Sequence, residues 1–136
     1  MTDCIFCKII NKEIPADIVF EDENVLAFMD IKPVSKGHLL VIAKTHTADF
    51  LSAEDSVIAS SMPMVKKIGQ ALMKTVNAQG MNITSNIGAA SGQSVFHLHF
   101  HLIPRFDKDG LQSWPHQDSE PKTRTEIAER IKKELK

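Results

Sequence analysis

The alternation of apolar side chains is clearest in the stretch SVFHLHFHLIPR, residues 94–105. Leu98, Phe100 and Leu102 fall at every second position, which is the spacing of one face of a β-strand. We expect these three side chains to point into a core. The side chains between them then lie on the opposite face of the same strand.

Similar patterns elsewhere predict four more strands. The segment DIVFEDENVLAFMD alternates on both sides of the polar turn EDEN, which is typical of a β-hairpin. The segment GHLLVIAK comes after the turn residues Pro33 and Gly37 and predicts a third strand. The segment MNITSN predicts a fourth strand, so the strand within residues 94–105 is the fifth.

Helical spacing of apolar residues predicts three helices around these strands. A short helix in CIFCKIINKE is expected to end at Pro15, and a last helix in TRTEIAERIKKEL has Ile127, Ile131 and Leu135 on one face. The long helix between them has an apolar stripe formed by Val57, Ile58, Val65, Ile68, Leu72, Met73 and Val76.

Local signals predict where the long helix begins and ends. Ser52 and Asp55 have the spacing of a capping box at its start. Pro63 is expected to kink the helix or to restart it, because proline lacks the N–H that the helix needs. Gly80 is expected to close it.

The order of these elements predicts an α+β fold. It would contain an antiparallel sheet of about five strands, one long helix, a short N-terminal helix and a C-terminal helix. The chain has 136 residues, with no internal repeat and no linker, and we therefore expect a single domain over residues 1–136.

Composition narrows the classes of partner. The net charge is −1, with 16 basic and 17 acidic residues, which gives no general electrostatic reason to bind nucleic acid or anionic lipid. No apolar run approaches the roughly 20 residues of a membrane span, and the N-terminus lacks the pattern of a signal peptide. We expect a cytoplasmic protein that binds neither nucleic acid nor membrane.

Three histidines occupy the second face of the fifth strand. His97, His99 and His101 alternate with the apolar residues, so their side chains would follow one another about 7 Å apart. Such a row fits a half-buried strand with a polar face, a metal site or a catalytic histidine with histidine neighbours. The spacing alone leaves these three alternatives open.

Two neighbouring features add chemistry to the histidine row. The loop IGAASGQS precedes it, and Gly88 and Gly92 would allow backbone N–H groups to turn toward a phosphate, although the same sequence also suits a plain surface loop. Cys4 and Cys7 form a C-x-x-C pair. In a reducing compartment this spacing indicates zinc or redox chemistry more than a structural disulfide.

These motifs together resemble the histidine triad superfamily. HLHFHLIPR is similar to its signature, in which apolar residues alternate with three histidines. CIFCKIINKEIPADIVFEDENVLAFMDIKPVSKGHLLVIAKTH resembles the N-terminal half of the family, and GQSVFHLHFHLIPR resembles the C-terminal half. The resemblance covers residues 4–106, which we take as the core of the domain, and leaves residues 107–136 as a C-terminal extension.

The resemblance is strongest to the nucleotide-binding branch, in the bacterial-type form that carries C-x-x-C. It implies cleavage of a nucleoside phosphate derivative at the α-phosphorus through a covalent nucleotidyl-histidine. His99 matches the nucleophile, whose Nδ1–H a backbone carbonyl holds. His101 matches the histidine beside the reacting phosphate, His38 matches a histidine that supports the triad, and His97 is the first of the three.

The resemblance also implies a set of substrate contacts. Asp30 matches the carboxylate that accepts both ribose hydroxyls, although it also suits a turn residue before Pro33. The positions expected near the phosphate or the leaving group are Asn86, Gln93 and Ser94. The positions expected around the base are Ile5, Phe6, Ile9 and Phe28, of which all but Phe6 are equally well explained as plain core residues.

A structural zinc ion is implied by four further matches, Cys4, Cys7, His46 and His97. A site closed by four protein ligands has no open position for water, so the resemblance implies that no catalytic metal is required. The alternative is two free cysteines and an ordinary surface His46. His116 matches no family position and is expected to be exposed.

The family implies a homodimer in which the sheet continues across the dimer, and a purine nucleotide as substrate. The implied reaction is hydrolysis of purine nucleoside 5′-phosphoramidates to the nucleoside monophosphate. A dinucleoside polyphosphate hydrolase, a nucleotide-binding regulatory protein with incidental activity and a zinc-organised interaction module stay open. The segment around Trp114, which lies on the leaving-group side in the family, departs most from the family pattern.

Overall fold

The computed structural model describes residues 3–136 and contains a five-stranded antiparallel sheet with three helices, so the predicted α+β fold is confirmed. The elements are α1 (Ile5–Ile10), β1 (Ile18–Glu21), β2 (Val25–Met29), β3 (Leu39–Ala43), α2 (Asp55–Val76), β4 (Gly80–Thr84), β5 (His99–Arg105) and α3 (Pro121–Glu134). A single 3-10 turn, Ala89–Ser91, lies in the loop between β4 and β5.

The strands follow the order β1-β2-β3-β5-β4 in the sheet, and every neighbouring pair is antiparallel. The predicted hairpin forms β1 and β2. Its turn is closed by Asp22, whose carboxylate accepts hydrogen bonds from the backbone N–H groups of Asn24 and Val25 at 2.7 and 2.8 Å. The polar turn EDEN therefore acts through a side chain that mimics a backbone acceptor.

Both faces of the sheet are covered where β3 crosses it. Leu39, Val41 and Ala43 pack with α2, and the side chains between them, Leu40 and Ile42, pack with α1. All five residues of β3 are buried for this reason. The strand reads as a continuous apolar run because neither of its faces meets water.

The fifth strand has the predicted polarity of faces but begins later than predicted. Leu98, Phe100 and Leu102 lie in the core on the α2 side. His99 pairs with Ile42 and His101 with Leu40, which places the two histidines on the α1 side. β5 starts at His99, because the segment that contains His97 leaves the sheet to reach the cysteines of α1.

The start of α2 corrects one prediction. Ser52 and Asp55 form no capping box, and the helix begins after Glu54 without a side-chain cap. Ser52 is held instead in the preceding turn, where its N–H donates to the carboxylate of Asp49 at 2.9 Å. The spacing of a capping box was present, but a closer acceptor competes for the serine.

The ends of α1 and α2 also differ from the predictions. α2 continues through Pro63 as one helix, and it ends at Val76 because Asn77 adopts a left-handed conformation with φ of 53°. Gly80, the predicted end, is the first residue of β4. α1 ends at Ile10, and the chain turns at Lys12, which has φ of 65°, before it reaches Pro15.

Most of the C-terminal segment after β5 is exposed to solvent. All residues of α3 are exposed, including Ile127 and Ile131 of the predicted apolar face, and Trp114 is 82% exposed. Arg105 ties the start of this segment to the sheet, because its guanidinium donates to the Asp109 carboxylate at 2.7 and 3.0 Å. Within residues 3–136, no helix is both long and apolar enough to span a membrane.

Candidate active site

A cleft of about 840 Å³ opens on the α1 side of the sheet. α1 forms one wall, the segment after β2 forms another, and the loop before β5 closes the third side. The predicted residues that line it are Ile5, Phe6, Ile9, Phe28, Asp30, Asn86, Ser94, His99 and His101. His38, His97 and Gln93 do not line the cleft and lie buried behind it.

His99 is held in one tautomer by the backbone. Its Nδ1 lies 2.6 Å from the carbonyl oxygen of His97, and because a carbonyl only accepts, Nδ1 carries the proton. Nε2 is then unprotonated. Every fully buried side-chain nitrogen of residues 3–136 has a hydrogen-bond partner, and His99 Nε2 has none, so this atom faces the cleft.

Burial lowers the pKa of His99, opposed by its hydrogen bond to the His97 carbonyl and by the charge of Asp30. The neutral ring therefore persists below the pH at which an exposed histidine gains a proton. A neutral imidazole with a free Nε2 is a nucleophile, since its lone pair is available for attack.

A chain of hydrogen bonds fixes the tautomer of His101. The backbone N–H of Val34 donates to His38 Nδ1 at 3.0 Å, so the proton of the neutral His38 ring is on Nε2. That Nε2–H points at His101 Nδ1, 3.0 Å away. His101 consequently carries its own proton on Nε2, the nitrogen on the cleft side of the ring.

The surroundings keep both of these rings neutral. Burial and the neighbouring rings of His99 and His38 lower the pKa of His101 to about 4, although Asp30 opposes the shift. Burial likewise lowers the pKa of His38. At neutral pH His101 offers the cleft a hydrogen-bond donor without a full positive charge.

Gly37 allows the chain to deliver His38 to this network. It has φ of 93°, a conformation that residues with a Cβ rarely adopt, and it lies in the tight turn before β3. A Cβ at this position would lie 3.0 Å from Cγ1 of Val76 and 3.2 Å from Cδ1 of Leu72. The close packing of the turn against α2 therefore also requires glycine.

Asp30 closes a turn and also lines the cleft. Its Oδ1 accepts the backbone N–H of Lys32 at 2.7 Å, which closes the turn after β2. Its Oδ2 lies 3.6 Å from His38 Nε2, and the carboxylate lines the cleft. Since each carboxylate oxygen has two acceptor positions, the group keeps free positions for hydroxyl donors.

Asp30, His38 and His101 are close enough to hold a metal ion, but their protons oppose it. The Nε2 of His38 carries a proton because Val34 occupies Nδ1. A metal at this place would have to displace that proton from between the rings. The three side chains are better described as a hydrogen-bonded set.

The loop before β5 is shaped by Gln93. The side-chain oxygen of Gln93 accepts the N–H of Gly88 at 2.7 Å, and its amide nitrogen donates to the Ala48 carbonyl at 2.8 Å. The Gln93 amide is therefore engaged inside the loop rather than exposed in the cleft. Asn86 and Ser94 do line the cleft, at the end where His99 and His101 lie.

One wall of the cleft is apolar. Phe6 packs edge-on against Phe28 and against the ring of His99, with centroid distances of 5.7 and 5.0 Å. Ile9 and Phe28 are buried, and Ile5 is 46% exposed. These side chains form an apolar surface that reaches the ring of His99.

Several other residues line the cleft although no sequence pattern indicated that they would. They are Ile14, Pro15, Ala16, Asp17, Met29, Ile31, Lys32, Leu40 and Val95, whereas Gly92 lies in the loop that was expected to face a phosphate. Ile31, which is 88% exposed beside Asp30, could have been suspected from its place in the turn DIKP. The remainder depends on how α1 and the segment that follows it fold over the sheet.

A second cluster lies at the other end of the histidine row. Cys4, Cys7, His46 and His97 bring four ligand atoms within 4.8 Å of one another and could bind a metal ion. His46 Nδ1 lies 3.1 Å from His97 Nδ1, and each of these atoms is 3.3 Å from a cysteine sulfur. Two sulfurs and two imidazole nitrogens suit a tetrahedral metal.

The hydrogen bonds around this cluster leave its ligand atoms free. His97 Nε2–H donates to the Ala43 carbonyl at 2.6 Å, which leaves Nδ1 unprotonated toward the cluster. Burial and the adjacent Cys4 thiol raise the pKa of Cys7 when no cation is present. His116, by contrast, is exposed, as predicted.

The chain is similar to known proteins over most of its length. A family model described as HIT domain matches residues 11–108. An uncharacterized HIT-like protein of Borreliella burgdorferi is 52% identical over 114 residues, which cover 82% of this chain and 81% of that protein. The structure of SMU.412c from Streptococcus mutans matches with a TM-score of 0.94 at 43% identity, covering 100% of this chain and 87% of that one.

The names of some relatives describe an activity. An adenosine 5′-monophosphoramidase of Candida albicans is 36% identical over 138 residues, which cover 97% of this chain and 91% of that protein. An adenylylsulfatase of Arabidopsis thaliana is 40% identical over 109 residues, which cover 80% of this chain and 55% of that protein.

Proposed function

The chain belongs to the HIT family, and we propose that it hydrolyses purine nucleoside 5′-phosphoramidates or related nucleoside phosphate derivatives at the α-phosphorus. The products are the nucleoside monophosphate and the released amine or other leaving group. Relatives named as an adenosine 5′-monophosphoramidase and an adenylylsulfatase support an adenylyl group on the substrate.

The observation that carries this proposal is the tautomer of His99. Its Nδ1–H is held by the His97 carbonyl at 2.6 Å, and its Nε2 faces a cleft that has an apolar wall and a carboxylate. A base would pack on the apolar wall that Ile5, Phe6 and Ile9 form, a ribose would lie against Asp30, and a phosphate would then lie near His99. The three parts of a nucleotide thus have matching surfaces in the right order.

The proposed reaction has two steps. His99 Nε2 attacks the α-phosphorus, a phosphorus–nitrogen bond of His99 forms, the bond from phosphorus to the leaving group breaks, and the leaving amine takes up a proton from solvent in the open cleft. Water then attacks the same phosphorus and releases the nucleoside monophosphate, which restores His99 and returns that proton to solvent. His101 Nε2–H and the loop that contains Ser94 are placed to donate hydrogen bonds to the phosphate oxygens.

A panel of substrates tests the reaction class. We expect turnover of adenosine and guanosine 5′-phosphoramidates and acid-quenched trapping of a nucleotidyl adduct that peptide mass spectrometry assigns to His99. Diadenosine polyphosphates and nucleotidylated amino acids are the comparison substrates. Preferential turnover of diadenosine polyphosphates would replace the proposal by its enzymatic alternative, and binding without turnover of any substrate would favour a regulatory protein.

We further propose that the four-residue cluster holds a structural zinc ion. Zn–S bonds of about 2.3 Å and Zn–N bonds of about 2.0–2.1 Å place tetrahedral sulfur and nitrogen ligands about 3.6 Å apart and two nitrogens about 3.3 Å apart. The sulfur–nitrogen distances of 3.3 and 3.6 Å from Cys7 and the nitrogen–nitrogen distance of 3.1 Å are close to these values. The four residues therefore fit the ion, and the proposed reaction requires no metal.

The family resemblance also implies an assembly, a domain organisation and a location in the cell. We propose a homodimer in which the sheet continues across the interface, which sedimentation equilibrium would test. We also propose that residues 1–136 form one domain with its core at residues 4–106, and that the protein works in the cytoplasm.

A further inference from the structure

We propose that α1 couples the metal site to the nucleotide cleft, so that metal and nucleotide each bind more tightly in the presence of the other. The inference rests on the proposed function, because it takes the cleft to be the nucleotide site. We expect the metal to change the affinity for nucleotide and to have only a small effect on the rate of the reaction at phosphorus.

α1 is too short to be stable by itself. It has six residues, whereas isolated helices shorter than about 12–15 residues are marginal in water. Its N-cap is Cys4, which makes no side-chain cap hydrogen bond. The helix is therefore held by what it contacts: Phe6 and Ile9 are buried against the sheet, and Cys4 and Cys7 are anchored in the metal cluster.

The same helix forms the apolar wall of the cleft. Ile5, Phe6 and Ile9 all line the cleft, and two of them lie between the cysteines in the sequence CIFC. Phe6 makes edge-on contacts with His97 and His99, with centroid distances of 5.8 and 5.0 Å. One turn of helix thus has metal ligands at its beginning and base contacts along its length.

Loss of the metal would leave the four ligand atoms with only one another as partners. In place of four metal bonds the cluster would keep sulfur–nitrogen contacts of 3.3 Å, which are weak because a thiol is a poor hydrogen-bond donor. His97 keeps its bond to the Ala43 carbonyl, whereas the cysteines have no second anchor. We therefore expect the start of α1 to loosen while the backbone that orients His99 stays in place.

Coupling of this kind is reciprocal. If the metal increases the affinity for nucleotide by some factor, nucleotide increases the affinity for the metal by the same factor. Coupling between two sites in proteins is commonly about 5- to 150-fold. Because one wall of the cleft is affected and the rest is not, we expect a factor of about 5 to 30.

Calorimetric titration with AMP tests the proposal on the full chain. The dissociation constant is measured for zinc-loaded and zinc-stripped protein, and zinc affinity is measured by competition with a chromogenic chelator, with and without saturating AMP. We expect weaker AMP binding after zinc removal and an equal increase in zinc affinity with AMP. Neither measurement depends on turnover.

Two variants locate the coupling in α1. Phe6→Leu keeps an apolar wall but removes the aromatic contacts to His97 and His99, and we expect it to reduce the coupling factor. Phe50→Leu is the matched control, since Phe50 packs on Phe100 on the other side of the sheet, and we expect it to leave the factor unchanged. Both titrations are made at a temperature at which circular dichroism shows the stripped protein folded, because AMP would raise the zinc affinity of an unfolded apo-protein through folding alone.

The remaining outcomes contradict either the coupling alone or the nucleotide site as well. Equal AMP affinity with and without zinc, together with zinc affinity that AMP does not change, would overturn the coupling and leave the proposed function intact. A purified protein that takes up no zinc would overturn the coupling as well. Failure of zinc-loaded protein to bind AMP would refute the nucleotide site itself and the coupling that depends on it.

Discussion

Among single residues, His99 has the most specific predicted effect. We expect His99→Ala to lower turnover of a nucleoside phosphoramidate by at least about 1,000-fold, because the attacking nitrogen is lost. AMP binding should persist, since Asp30 and the apolar wall remain. Steady-state kinetics and calorimetry measure the two effects, and the exposed His116→Ala is the control. Near-normal turnover of His99→Ala would show that another group attacks.

Asp30 is expected to recognise the ribose. Asp30→Asn keeps the oxygen that closes the turn with Lys32 but removes the charge and one pair of acceptor positions. Unpaired hydroxyls cost about 1–3 kcal/mol, so we expect AMP to bind about tenfold more weakly. The affinity for 2′,3′-dideoxy-AMP should change much less. An equal loss for both nucleotides would assign Asp30 to the turn alone.

Residue identities in the site were predictable where chemistry dictates them, and less so where packing does. The alternation of His97, His99 and His101 gave their common face, and the structure brings Cys4, Cys7 and His46 to one end of it. The role of Gln93 inside its loop could not be read from the sequence, because it depends on Ala48, 45 residues earlier in the chain. No local pattern encodes that contact.

The turn before β3 gives a prediction at the scale of an element. We expect Gly37→Ala to cost about 1–2 kcal/mol for the left-handed backbone and a further 1–3 kcal/mol for overpacking against Val76 and Leu72. Gly110→Ala is a matched control, since Gly110 has φ of 79° but nothing within 4 Å of an added Cβ. Urea unfolding followed by circular dichroism compares them. Equal costs would mean that packing around the turn is unimportant.

Metal removal is expected to act on stability more than on the reaction. Structural zinc sites contribute folding energy, so chelation should lower the melting temperature, and a fall of about 10 °C would correspond to roughly 2–3 kcal/mol for a domain of this size. At saturating substrate, turnover per folded molecule should fall only modestly. Loss of all turnover on chelation without unfolding, restored by zinc but not by magnesium, would instead make the metal catalytic.

The existence of the elements was easier to predict than their limits. Each strand and helix expected from apolar spacing is present. The errors lie at ends: the side chain of Ser52 bonds in the preceding turn, and Asn77 ends α2 three residues before Gly80. A competing hydrogen bond decides one of these ends and a left-handed residue decides the other. The spacing of apolar residues predicts neither.

For the molecule as a whole, the buried histidines predict how stability depends on pH. The folded protein holds His38, His99 and His101 neutral below their ordinary pKa, and His101 titrates only at about 4. The unfolded chain takes up protons below about pH 6.5, so it binds more protons than the folded chain in this range. Stability is therefore complete above about pH 6.5 and falls as the pH is lowered toward 4.

Urea unfolding of zinc-loaded protein at several pH values measures this dependence. Each ring contributes a slope of up to about 1.4 kcal/mol per pH unit. We expect His101→Gln to reduce the slope between pH 6.5 and 4, and the exposed His116→Gln to leave it unchanged. A slope that is the same in all three proteins would mean that the buried rings gain protons as readily as free histidine.

The whole fold followed from the order of elements, but the site within it did not. The α+β class and five antiparallel strands could be inferred from apolar periods alone. The placement of α1 over the second face of the sheet could not, because helical spacing predicts the helix but not the surface on which it packs. That placement is decided by Phe6, Ile9 and the cysteines, whose partners are in β2, β3 and the segment around His97.

The exposure of Trp114 has an optical consequence. The chain contains one tryptophan and no tyrosine, and this tryptophan is 82% exposed in the segment after β5. Its fluorescence emission in the folded monomer should already resemble that of a solvated indole, so unfolding of the sheet would pass with little change in colour or intensity. Emission would report instead on anything that covers the C-terminal segment, which makes Trp114 a built-in probe of association.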